Sequence, residues 1–186
     1  MIAGLDYSMT SPAICLSNYD MRYEKCFFSY LTTSKKYNIQ FDNVRGKLLE
    51  YSHSIHRYDL IAVHFLDMML DYGVQTCYIE GYSMGSKGRI FDIAENTGIF
   101  KHTAWKFGIN VITVPPTKIK KFATGKGNAN KEKMQETFIN ETGVNLKEKL
   151  SMTKKQWNPS SDIIDAYYVC KYAIHQEKYN LARNYE

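Results

Sequence analysis

Four carboxylates stand at points in the chain that a fold can gather. Asp6 ends the apolar run IAGLD, Glu80 ends CYIE, and Asp162 and Asp165 lie three apart at the head of SSDIIDAYYVC. Carboxylates that converge repel one another. A divalent cation relieves the repulsion, and hard oxygen donors suit Mg²⁺ or Mn²⁺. Such a set can support metal-assisted phosphodiester chemistry. A basic stretch complements it: from Thr117 to Lys133, the lysines 118, 120, 121, 126, 131 and 133 face a single acid, Glu132. Lysines of this kind position phosphates without reading sequence. Gly125 and Gly127 would let the backbone approach a phosphate, and Asn128 and Asn130 add neutral donors. Lys147, Lys149, Lys154 and Lys155 extend the basic surface toward the last two acids. Taken singly, each acid is at home as a turn or capping residue, and the lysine run as a solvated loop. Their joint occurrence favours the chemical reading.

The elements that must position these residues are legible as strands and helices in turn. Residues 2–6 read as a buried strand, and 13–17 pair with it across a turn. Residues 23–31 suit a third strand, 38–43 a loop, and 44–71 show helical spacing with a break near Arg57–Asp59 and Gly73 as C-cap. Residues 74–79 form a strand leading to Glu80, followed by a flexible loop carrying Gly81, Gly85 and Gly88. A helix over 89–107 stops at Gly108. A strand over 110–114 ends at Pro115–Pro116, and a Lys- and Gly-rich loop follows. The chain closes with a helix near 130–141, a polar irregular stretch over 144–160, and a helix from about Ser161 to about Lys178, with Ser160 or Ser161 available as N-cap. This order gives an α/β fold, a mixed sheet with helices on its faces. Asp6 and Glu80 at strand ends can point into a cleft beyond the sheet. Asp162 and Asp165 share a helix face, and the helix dipole offsets part of their charge.

Size and composition narrow the class. At 186 residues and 44% hydrophobic content, one globular domain over 1–186 is the expectation. The net charge of +5 only slightly favours a polyanionic partner. Cys15, Cys26, Cys77 and Cys170 lie singly in apolar stretches and read as buried reduced thiols. No segment reaches membrane-spanning length and no secretory signal is visible, so a cytoplasmic location is expected. His53, His56 and His64 are at helical spacing but lack the partners of a zinc site, and His102 reads as structural. Tyr167 and Tyr168 read as packing residues, and Trp157 reads as a core residue, with stacking on a base as the alternative. No nucleophile elbow, Walker loop or dinucleotide fingerprint occurs.

GLDYSMTSPAICL, YIEGYSMGSKGRIFDIAENTGIFKHTAW, VPPTKIKKFATGKGNANKEKM and SDIIDAYYV, in that order, resemble the motifs of the RuvC family of Holliday junction resolvases, within the RNase H-like superfamily. The resemblance implies a single nuclease domain built on a five-stranded mixed sheet with helices on both faces. It implies Asp6, Glu80, Asp162 and Asp165 as ligands of Mg²⁺ or Mn²⁺, two ions per site, and Lys120 and Lys131 as active-site lysines. It also implies a homodimer that makes paired nicks in four-way DNA junctions. Lys118, Lys121, Lys126, Lys87, Arg89 and Tyr82 join Lys120 and Lys131 as candidate DNA contacts. The chain departs from the family in carrying Asp6-Tyr7-Ser8 where Asp-x-Gly is usual, and Ser83 where an aromatic residue is usual. These departures lean toward a phage-type member, which would work in the host cytoplasm. The same carboxylates would serve a nuclease acting on RNA or RNA–DNA hybrid, and a catalytically silent nucleic-acid-binding scaffold is the reading from another class.

Overall fold

Alternation of apolar side chains builds the centre of the molecule. The computed structural model describes residues 1–81 and 90–183, with side chains to residue 179. Its strands are β1 (Ile2–Asp6), β2 (Ala13–Ser17), β3 (Phe27–Thr32), β4 (Gln40–Phe41), β5 (Val44–Leu48), β6 (Thr76–Glu80) and β7 (Asn110–Val114). They form one sheet in the order β4-β5-β3-β2-β1-β6-β7. β1 pairs antiparallel with β2 and parallel with β6, and β6 pairs parallel with β7. The helices are α1 (Ser54–Asp71), α2 (Ile90–Lys106), α3 (Pro116–Thr124), α4 (Lys131–Thr142), the short α5 (Leu146–Lys149) and α6 (Ser160–Arg183).

Every residue of β1 and β2 is buried, because each face of these strands carries a separate core. Ala3, Leu5, Ile14, Leu16, Cys77 and Ile79 pack against α1 and α2 through Phe65, Met69, Phe100 and Ala104. Ile2, Ala13, Cys15 and Tyr78 point the other way, toward Ile119 of α3, Met134 and Phe138 of α4, and Ile163, Tyr167 and Cys170 of α6. A fully buried side chain of this size contributes roughly 1.5–3 kcal/mol, so both helical layers are held firmly. All four cysteines are buried and unpaired. Among the described residues no helix is long and apolar enough to cross a membrane.

The α/β class and the helices on both faces agree with the sequence, but the sheet has seven strands rather than five. The additional strands are β4, in the segment read as a loop, and β5, in the segment read as the start of a long helix. Val44 to Leu48 follow a two-residue burial rhythm, and Gly46 is required there: a Cβ would lie 2.6 Å from the Tyr30 ring. The helix starts only at Ser54, where His53 Nδ1 accepts the His56 N–H at 3.3 Å. Residues 23–25 are a 3₁₀ turn rather than part of the third strand. The stretch after Pro115 is α3 rather than a loop, with Pro116 at the first helical position, where a missing N–H costs nothing.

His64 on α1 is largely buried and shares a 3.0 Å hydrogen bond with Ser29 Oγ of β3. Burial, then the Lys47 charge, pushes its pKa down to about 4. An unfolded histidine titrates near about 6.5, so between these values only the unfolded chain takes up the proton. Stability is therefore fully present above about pH 6.5 and falls as pH drops toward 4. The loss should be on the order of 2 kcal/mol by about pH 5. His64→Gln should flatten this dependence, as read from urea midpoints at about pH 7 and about pH 5.

Candidate active site

Strand alternation decides where the acids point. Leu5 and Ile79 face α1 and α2, so Asp6 and Glu80, one residue further on, face the layer that holds α6. Leu5 stands opposite Ile79 in the parallel register, which makes Asp6 and Glu80 neighbours at the ends of adjacent strands. α6 crosses β1 at Gly4, whose absent side chain leaves room for the backbone of Cys170. From Cys170 back to Asp165 is a rise of about 7.5 Å along the helix. From Gly4 on to Asp6 is about 6.6 Å along the strand. The two steps match, and Asp165 arrives over Asp6.

Asp6, Glu80 and Asp165 each present a carboxylate oxygen within 4.8 Å of the others. Asp162 is not one of these three. It is buried, accepts from Ser11 Oγ, and accepts from Asn158 Nδ2 at 2.9 and 2.6 Å. Burial raises the carboxyl of Asp6 well above its ordinary range, and the charges of Asp162, Glu80 and Asp165 raise it further. Burial likewise raises Asp165, reinforced by Glu80 and Asp162 and opposed by Lys120 and Lys131. Glu80 is pushed up to about 7 by burial, against the pull of Lys120. Asp162 is also raised by burial, but Ser11, Asp6, Lys131 and Asn158 all favour its charged form. Three oxygen donors this close, each resisting ionisation, fit a divalent cation: its charge would reverse every one of these shifts.

Asp6, Glu80 and Asp165, but not Asp162, line a cleft of about 580 Å³. Lys120 of α3 and Lys131 of α4 line it. Lys131 also reaches Asn158 Oδ1 at 3.4 Å and Ser161 Oγ at 3.3 Å. Lys118, Lys121 and Lys126 are exposed and are not among the cleft residues. Gly125 ends α3 in the left-handed conformation, φ 80°, which favours glycine, and a Cβ on Gly127 would lie 3.1 Å from Thr117 O, a tight fit, so both glycines have a role in the fold. Tyr82, Ser83, Lys87 and Arg89 lie outside the described residues.

Sequence reasoning missed two features of the site and favoured the wrong alternative for a third, Trp157. Ser11 and Asn158 hold Asp162, which requires the β1–β2 turn to lie against the start of α6. Trp157 is not a core residue: it is half-buried and lines the cleft. Lys147 is buried, 8% exposed, with its ammonium 3.3 Å from the Trp157 ring centroid. The one local signal was the proximity of Trp157 to Asp162.

No protein-family model matches the chain, and no curated protein matches it by sequence. Solved structures do. Thermus thermophilus RuvC in complex with a Holliday junction substrate superposes with a TM-score of 0.61 at 15% identity, over 94% of this chain and 93% of that one. Fowlpox virus resolvase, in complex with Holliday junction DNA, gives 0.52 at 14% identity over 95% and 99%. The yeast mitochondrial Holliday junction resolvase Ydc2 gives 0.51 at 10% identity over 100% and 84%. The chain has the α/β fold of these resolvases.

Proposed function

We propose that the protein is a metal-dependent, structure-selective DNA endonuclease that resolves four-way junctions by paired nicking. The observation that carries this reading is the Asp6–Glu80–Asp165 group on the floor of a cleft flanked by Lys120 and Lys131. The likeness of the fold to resolvases solved with junction DNA supports it. Asp6, Glu80 and Asp165 would hold Mg²⁺ or Mn²⁺, with Asp162 completing a set for two ions. When bound, the ions supply an activated water and stabilise the leaving oxygen of the phosphodiester. Asp6 is the central ligand, because a strand in the middle of the sheet is the most rigid support. Ser11 and Asn158 orient Asp162 and favour its charged form against the effect of burial. Lys120 and Lys131 position the scissile phosphate and offset its charge, while Lys118, Lys121 and Lys126 bind phosphates further out.

A homodimer would place two such clefts on one junction. The exposed rings of Phe91 and Trp105, about four turns apart on α2, and of Phe107 beyond it support a partner on that face. A strictly monomeric mass at micromolar concentration would remove paired nicking from the proposal.

The test is cleavage of a labelled mobile four-way junction, a flap, an RNA–DNA hybrid and a linear duplex with Mg²⁺ or Mn²⁺. Symmetrical nicks confined to the junction are the expected result. Cleavage of hybrid or flap alone would keep the site and change the substrate, and junction binding without cleavage of any substrate would leave a scaffold. Lys120→Ala combined with Lys131→Ala should slow cleavage and lower the salt slope of junction binding by about one for each phosphate no longer neutralised. An unchanged slope would take both lysines off the DNA surface.

A further inference from the structure

Between the cleft and the outer surface stands one aromatic wall. Trp157 lines the cleft with Asp6, Glu80 and Asp165, and it also lines a second groove of about 420 Å³ on the outer side. Lys147 lines that outer groove and not the cleft. Its ammonium lies 3.3 Å from the ring centroid and donates to Lys154 O at 3.0 Å. One face of the indole is thus closed by a fixed cation, and the ring is held in place from behind.

We propose that Trp157 is a stacking platform for an unpaired base of the strand being cut. The inference rests on the nuclease reading above. An indole serving only to pack would be enclosed by apolar side chains. This one is left half-buried between two openings, within the same cleft as the carboxylates. Because Lys147 already orders the ring, little conformational freedom remains to be lost when a base arrives. Every base has a π face, so the platform is tolerant of sequence. A base within a continuous duplex is stacked on its neighbours, so only a strand opened at the cut can use the ring. The platform therefore selects substrates with an unstacked nucleotide beside the scissile phosphate.

The chain has two tryptophans, so Trp105→Phe, which keeps an apolar ring on α2, leaves Trp157 as the sole tryptophan, read by excitation selective for indole over tyrosine. In that protein, metal-free titration with a four-way junction should quench Trp157 emission, and a linear duplex of equal length should not. Trp157→Leu should slow junction cleavage about tenfold or more, with Trp157→Phe recovering most of the rate. In Trp157→Leu, 2-aminopurine placed beside the mapped nick should lose the fluorescence change that the wild-type protein produces on binding. If the junction is bound and cut with Trp157 emission and 2-aminopurine signal both indifferent to the residue, the platform is wrong while the nuclease reading stands. If the junction is neither bound nor cut, the nuclease reading fails and the platform with it. A fall in melting temperature for Trp157→Leu, with normal 2-aminopurine response in the folded fraction, assigns the residue a structural role and also overturns the proposal.

Discussion

Asp6→Asn should reduce junction cleavage by on the order of 10³-fold or more while leaving junction affinity within a few-fold of wild type. The carboxylate stands at the end of an interior strand, with an oxygen within 4.8 Å of those of both Glu80 and Asp165. On the proposed function, phosphate binding comes from lysines on α3 and α4, which the substitution does not touch. The same variant should lose carboxylate-dependent Mn²⁺ binding by calorimetry. Its stability should move in the opposite direction to its activity. In the folded protein Asp6, Glu80 and Asp165 all have raised pKa values. Each therefore stabilises the fold below its unfolded pKa, and that contribution is lost as pH rises through the folded value. For Glu80 the window runs from 4.5 to about 7. At neutral pH the cluster is a liability in the metal-free protein, and removing one acid relieves it. Metal-free Asp6→Asn should melt at or above the wild-type temperature, and Mn²⁺ should raise the wild-type value but not the variant's. A variant that melts well below wild type would show that Asp6 supports the fold rather than strains it.

Among the described glycines, Gly4→Ala should be the most damaging added methyl. Its Cβ would stand 2.5 Å from Cys170 Cα and 2.7 Å from Cys170 Cβ, and closer still to the backbone nitrogen. Backbone cannot yield as a flexible side chain does, so β1 and α6 must separate. The cost should be on the order of 4 kcal/mol, beyond the usual range of overpacking. It should appear as a large drop in urea midpoint, accompanied by weaker Mn²⁺ binding as Asp165 moves away from Asp6. Gly98→Ala is the control. Gly98 lies within α2 with nothing within 4 Å of its Cβ position, and the change should stabilise by up to about 1 kcal/mol. If the two variants behave alike, helix–strand approach at Gly4 is not what fixes the site.

What was legible in the sequence follows from which signals are local. Asp6 and Glu80 could be placed at strand ends because a short apolar run, IAGL and CYI, leads into each. α2, α4 and α6 could be read from apolar spacing, with ends within a few residues. β5 could not, because Gly46 answers to the Tyr30 ring on another strand. α3 was obscured because Pro115–Pro116 reads as a stop, whereas Pro116 opens a helix anchored by the buried Ile119. Ser11, Asn158 and Lys147 carry no motif. Their roles exist only once distant segments meet: Ser11 and Asp162 are 151 positions apart.

That separation has a consequence for biosynthesis. Asp6 and Glu80 are synthesised before Asp165, which sits in α6. A nascent polypeptide holding β1 through β7 owns two of the clustered acids and lacks the third, together with the helix whose backbone fills the space above Gly4. On the proposed function, cutting competence would arise only when α6 docks, and a chain terminated before α6 would lack the assembled carboxylate group.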